Sequence, residues 1–158
     1  MATSTPTRHR SSALLDHLAR LMRLRAESAL APLGLRPRHL VTLTVLRDHG
    51  SPTQQALAAA LQTDRTNLIG LLNELETDGL VLRRRSTEDR RRHFVELTDA
   101  GSERLAEAEA ALAAVEDEVL GALDIEQREV LYQLLAQATT SQAVDCAAAV
   151  AQDLPAGC

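Results

Sequence analysis

Residues 51–97 read SPTQQALAAALQTDRTNLIGLLNELETDGLVLRRRSTEDRRRHFVEL, and the order of patterns inside them decides the fold. Ser51-Pro52-Thr53-Gln54 has the form of a capping box, with Ser and Gln three apart and Pro at the first helical position. Ala56, Leu57, Ala60 and Leu61 then share one face of a short helix. Gln62-Thr63-Asp64 breaks that pattern with two cap-type residues, and the spacing predicts a second helix over about 65–77 that buries Leu68, Leu71, Leu72 and Leu75. Asp78-Gly79 ends it, with Gly at the C′ position. Two short helices joined by about three residues, the second amphipathic and polar at its start, make a helix-turn-helix.

After Gly79 the period changes. Leu80-Val81-Leu82 and Phe94-Val95-Glu96-Leu97 read as two short strands, with Ser86-Thr87-Glu88-Asp89 as the turn. Arg83, Arg84 and Arg85 stand on one arm and Arg90, Arg91 and Arg92 on the other, so a hairpin is expected to set the triplets side by side at its tip. Six guanidiniums so close repel one another unless an anion arrives, and only Glu88 and Asp89 are near in sequence. The bland reading is a solvated, acid-paired surface hairpin. The sharper one is a wing, whose tip suits a phosphate backbone or a narrow, strongly negative minor groove.

The polar face of helix 65–77 carries Asp64, Arg65, Thr66, Asn67, Gly70 and Asn73. Arg can take guanine, Asn can take adenine, and Thr can reach phosphate or a thymine methyl. The expected DNA-contacting set is therefore Thr53, Gln54, Asp64, Arg65, Thr66, Asn67, Gly70, Asn73, Arg85, Asp89, Arg90 and Arg91.

On either side the chain is helical. Ser12 is expected to cap a first helix to about Ala31, with Leu14, Leu18, Leu21 or Met22 and Ala29 at three-to-four spacing, ended by Pro32 and Gly34. A second helix runs from Arg36-Pro37 to Gly50. Thr98 caps a long fifth one from about Asp99 to Gly121, in which Leu105, Ala108, Leu112, Val115 and Val119 follow the spacing of a helix-pair seam. Asp124-Ile125-Glu126-Gln127 caps a sixth with Val130, Leu131, Leu134, Leu135 and Ala138 on its apolar side. Intramolecular packing is one reading of these faces. A dimer interface is favoured, because a winged module reading palindromic DNA needs a two-fold partner and the first helix is left without a mate. The expected fold class is mainly α with a small β-hairpin wing. Its parts are a disordered tail (1–11), an N-terminal dimerisation helix (12–35), a winged helix-turn-helix domain (36–97), C-terminal dimerisation helices (98–142) and a tail (143–158).

Composition agrees. The 158 residues include 28 Leu and 26 Ala but one Phe, one Tyr and no Trp, which favours helix and leaves no aromatic platforms for stacking single-stranded bases. All 17 basic residues are Arg, planar and fork-shaped, set against 22 acids for a net charge of −5. That mean hides a net +6 over residues 1–47, −4 over 48–79, +4 over 80–95 and −11 over 96–158, so a polyanion would meet the molecule at one place. No uncharged run is long enough for a membrane span. The two Cys, Cys146 and Cys158, both lie in the tail, and no apolar signal segment follows Arg8 and Arg10, so a cytoplasmic protein is expected. No Gly-rich phosphate loop, His-Glu-x-x-His or Gly-x-Ser-x-Gly is present, and an enzyme or a cofactor is not expected.

The stretch from Gly34 to Gly101 closely resembles the MarR family of bacterial transcriptional regulators. The most specific parts are LETDGLVLRRR and EDRRRHFVELTDAG. The latter is similar to the family's wing signature: Asp-x-Arg (Asp89, Arg91), a strand, then Leu-Thr-x-x-Gly (Leu97, Thr98, Gly101). The resemblance spans about residues 12–142. It implies a homodimeric winged helix-turn-helix repressor, triangular in outline, on a pseudo-palindromic operator. Helix 65–77 would enter successive major grooves, the wing the adjacent minor groove, and half-sites would lie roughly 10 bp apart. Asp89 would hold a neighbouring Arg while Arg90 or Arg91 enters the groove. Many members carry Ser/Thr-x-x-Arg where this chain has Asn67-Leu68-Ile69-Gly70. Either the helix approaches the bases closely at Gly70, or specificity shifts to Arg65, Thr66, Asn67 and the wing.

The resemblance further implies release by a small phenolic or anionic effector bound between the dimerisation helices and the DNA-binding lobe, with His17, Arg25 and His39 as candidates. The peroxide-sensing branch needs a cysteine near the start of the first helix, where this chain has none, so Cys146 and Cys158 are expected to be inert thiols. The five His lack metal-ligand spacing, and no metal is expected. The competing function is a winged-helix protein–protein adaptor, which would expose apolar anchors rather than six guanidiniums.

Overall fold

Helix caps and glycines punctuate the chain, and most lie where the sequence puts them. The computed structural model of the protein describes residues 10–87, 89 and 92–140. The elements are α1 (Ser11–Leu30), a 3-10 turn (Ala31–Leu33), α2 (Pro37–His49), α3 (Gln54–Ala60), α4 (Arg65–Thr77), β1 (Val81–Arg85), β2 (His93–Leu97), α5 (Asp99–Val119) and α6 (Ile125–Thr140). Gly34 and Gly79 end α1's turn and α4 with φ of 68° and 71°, a left-handed conformation that costs glycine nothing. Thr98 caps α5 by accepting the Gly101 N–H, and Asp124 and Gln127 cap α6 reciprocally.

Two starts differ from expectation. Helix α1 begins at Ser11 with Arg10 as its uncapped N-terminal flank, so Ser12 lies inside the helix. Helix α3 begins at Gln54, capped by the Thr53 hydroxyl, which accepts the Ala56 N–H at 3.1 Å; Ser51 does not cap it. The reason is tertiary. The Pro52 carbonyl accepts the Val95 N–H at 3.0 Å and Thr53 bridges Phe94, so residues 52–53 are drawn out as an edge beside β2. Pro52 therefore precedes the cap rather than filling the first turn.

One core joins the winged domain to the long helices. Leu43 and Leu46 of α2, Leu57 of α3, Leu68, Leu72 and Leu75 of α4, Val81 of β1, Val95 of β2 and Leu105 of α5 are all buried within it. Helix α5 packs along α1 and α2, and Leu30 and Leu35 seal the corner. By contrast, none of the described side chains of α6 is buried, and in α1 only Leu30 is. No helix among the described residues is long and apolar enough to cross a membrane. The predicted tails (1–11 and 143–158) lie outside the described residues, apart from Arg10 and Ser11, and Ser11 already belongs to α1.

Candidate nucleic-acid interface

The sequence of α4 puts Leu68, Leu71, Leu72 and Leu75 on the core side and leaves the opposite side to polar groups. Asp64, Arg65, Thr66, Asn67, Gly70 and Asn73 are all exposed, as expected. Asp64 caps the helix: its Oδ1 accepts the Asn67 N–H at 2.9 Å, and its Oδ2 accepts the Asn67 side-chain amide at 2.6 Å. That backbone hydrogen bond, with others from the helix start, holds the Asp64 carboxyl below the usual carboxylate range. Beside α4 lies an open groove of about 540 Å³, with Thr53 and Gln54 on the α3 side, Arg65 on α4, and Arg92 and His93 at the turn end of the hairpin. Leu68, Ile69 and Ala58 contribute its apolar lining.

The hairpin is longer than expected, and its first arginine triplet lies within β1. Register pairs Arg85 with His93, Arg84 with Phe94 and Arg83 with Val95, so the first triplet lies opposite β2. Strand alternation then divides it. Arg83 turns toward α4, where it is clamped by Glu76: Nε donates to Oε2 at 2.9 Å and the guanidinium closes a second bond to the same oxygen. These bonds pull the Glu76 carboxyl below its usual range. Arg84, on the other face, pairs with Glu96 at 3.0 Å. Mutual repulsion is thus relieved by acids of α4 and β2, not only by the tip. Arg85 shares Arg83's face and is exposed. At the tip, the Asp89 carboxylate stands 3.8 Å from Arg92, and the Arg92 N–H donates to the Asp89 carbonyl. Arg90 and Arg91 lie outside the described residues.

Residues 35–93 match the sequence model of the MarR family. Three solved structures with the same fold are similar over most of their length. YusO from Bacillus subtilis is 26% identical, covering 83% of this chain and 92% of its own, with a TM-score of 0.69. A MepR variant from S. aureus, bound to an oligodeoxyribonucleotide, is 25% identical over 85% and 99% of the two chains, with a TM-score of 0.65. A MarR variant from E. coli, complexed with operator DNA, is 21% identical over 81% and 92%, with a TM-score of 0.64, a likeness of fold alone. Residues 35–93 are a MarR-family domain. Members are winged-helix, DNA-binding transcriptional regulators and not enzymes.

Around this MarR-family domain, sequence reading missed the residues that anchor α4. Glu74 receives Arg38 at 2.9 and 3.1 Å, Arg36, and the His39 Nε2 at 2.8 Å, all from the start of α2. Burial pushes the Glu74 carboxyl up, but the His39 and Arg36 hydrogen bonds and the Arg38 charge together hold it below the usual range. The only sequence signal was the Arg-Pro-Arg-His cluster at the α2 start. His39, an effector candidate, is buried and already engaged: its Nδ1 accepts the Arg36 N–H at 3.2 Å while Nε2 faces Glu74. Arg25 pairs across to Glu118 of α5 at 3.0 Å, and His17 is exposed on α1. No described hydrogen bond or ion pair draws these three together.

Burial lowers the His39 pKa despite the Glu74 bond. The unfolded chain therefore takes up a proton, below its ordinary value of 6.5, that the folded ring resists. Stability from this site is complete above that value and is lost as pH falls through it toward the folded pKa. Gln at position 39 can accept from Arg36 and donate to Glu74 without titrating. Between pH 7.5 and 5.5, His39→Gln is expected to lose less melting temperature than the wild type. Parallel losses would show that the ring does not resist protonation.

Proposed function

We propose that the chain is a homodimeric repressor, acting in the cytoplasm, that reads a pseudo-palindromic operator with α4 in the major groove and its hairpin in the adjacent minor groove. The observation that carries this reading is the exposed polar row from Asp64 to Asn73 set beside a hairpin rich in Arg. Thr53, Gln54, Arg65, Thr66, Asn67, Gly70 and Asn73 belong to the major-groove side, and Arg85, Asp89, Arg90 and Arg91 to the wing. The division into dimerisation segments 12–35 and 98–142 about a DNA-binding domain 36–97 belongs to the same proposal. So does release by a small phenolic or anionic effector, for which His17 is exposed while Arg25 is paired with Glu118 and His39 with Glu74.

Fluorescence anisotropy on an operator obtained by selection tests the reading. Arg85→Ala is expected to weaken binding to all sequences alike and to reduce the slope of log affinity against log salt by about one for each phosphate no longer neutralised. Arg65→Ala, at the start of the groove helix, is expected to cost about 1–3 kcal/mol and to relax preference at one base. Unchanged affinity and slope in both variants would remove this face from DNA binding.

A further inference from the structure

Helix α4 carries two exposed carboxamides, Asn67 and Asn73, with Gly70 midway and nothing within 4 Å of where its Cβ would stand. Six residues of helix separate them by roughly 9 Å along the axis, or between two and three base-pair steps at roughly 3.4 Å each. A carboxamide offers a donor at one end and an acceptor at the other, and in water either end can turn outward. Here each amide meets a group of single polarity. The Asp64 carboxylate only accepts, so the Asn67 amino group must face it, as it does at 2.6 Å. The Arg83 guanidinium only donates, so the Asn73 oxygen must face it, as it does at 2.8 Å. Arg83 is itself held by Glu76 through Nε at 2.9 Å and through its backbone N–H at 3.3 Å. The Asn67 oxygen and the Asn73 amino group are the poles turned away from these partners.

We propose that Asp64 and the Glu76–Arg83 pair are positioning residues that set the two carboxamides in opposite senses. Asn67 then accepts from an exocyclic amine, adenine N6 or cytosine N4. Asn73 donates to a base-edge acceptor such as guanine O6 or N7, adenine N7 or thymine O4. Gly70 between them leaves the groove floor open to both. This rests on the reading that α4 enters the major groove.

The test is selection of duplexes from a randomised library by the full chain and its variants. Asp64→Asn keeps an oxygen for the Asn67 N–H, since Asn also caps helices, but puts an amino group where Oδ2 was. Asn67 must then turn over. The preference at the base position that Asn67→Ala abolishes is expected to switch from an amine-bearing to an acceptor-bearing base edge, by about five- to tenfold in relative enrichment. Arg83→Met is expected to abolish preference at the same position as Asn73→Ala and to leave the Asn67 position intact. Glu76→Gln, which keeps Arg83 but loosens its clamp, is expected to blunt the same position if Arg83→Met does not fold. Variants that weaken binding to all sequences equally, with unchanged profiles, would overturn the proposal while leaving DNA recognition standing. A wild-type chain that enriches no sequence would overturn both.

Discussion

Replacing Gly101 with alanine is expected to destabilise the chain by about 3 kcal/mol and lower its melting temperature by roughly 6–12 °C. A Cβ at this position would stand 2.1 Å from the Leu80 carbonyl oxygen and 2.7 Å from Leu97 Cδ1. The leucine can turn away, but the carbonyl cannot. Leu80 O accepts the Thr98 N–H at 3.1 Å, and the Leu80 N–H is held by the Leu75 carbonyl at 2.9 Å. Thr98 in turn donates its hydroxyl to the Gly79 carbonyl at 2.7 Å and accepts the Gly101 N–H at 2.9 Å. The end of α4, the start of β1, the end of β2 and the first turn of α5 therefore meet at one backbone crossing, and a methyl group there must push it apart. Gly70 is the internal contrast. Its added Cβ meets nothing, and Gly70→Ala is expected to raise stability by up to about 1 kcal/mol through helix propensity alone. Thermal melts of the two variants check the pair, and an unshifted Gly101→Ala would show that the crossing relaxes freely.

The Gly101 position shows what was legible from sequence and what was not. Leu97-Thr98-x-x-Gly101 stood out as a pattern, yet the reason for its glycine is a contact with Leu80, twenty-one residues earlier. Signals closed within one helical turn were readable. Asp64 as cap, Gly79 at C′ and the leucine spacing of α4 are local, and they place the whole exposed row of the candidate interface. Signals that depend on register were not. Adjacent arginines suggested a concentrated positive tip. Strand alternation instead sends Arg83 to Glu76 and Arg84 to Glu96, so part of that charge is neutralised within the protein. The Ser51 cap failed for the same reason, because Val95 of a later strand claims the Pro52 carbonyl. Glu74, which gathers Arg36, Arg38 and His39, is more than thirty residues from each. Nothing within a helical turn points to it.

On the proposed dimeric reading, Leu134→Asp is expected to leave the chain monomeric at micromolar concentration and to reduce operator affinity by about a hundredfold or more. The reasoning starts from surface that the single chain leaves uncovered. Leu14 and Leu24 of α1 are 69% and 58% exposed, and Val130, Tyr132 and Leu134 of α6 are 57%, 64% and 58% exposed, while the core is closed elsewhere. Covering one such side chain is worth about 1.5–3 kcal/mol, and a two-fold interface counts each residue twice. Losing Leu134 from both copies therefore removes about 4 kcal/mol, roughly a thousandfold in the dimerisation constant, before the cost of burying a carboxylate. A monomer engages one half-site at a time and forfeits the gain from linking two. Because no described side chain of α6 is buried within the chain, the substitution should leave helix content unchanged by circular dichroism. Sedimentation velocity, with anisotropy on duplexes carrying one or both half-sites, reads the outcome. A Leu134→Asp chain that stays dimeric and binds the two-site duplex as the wild type does would take α6 out of the interface.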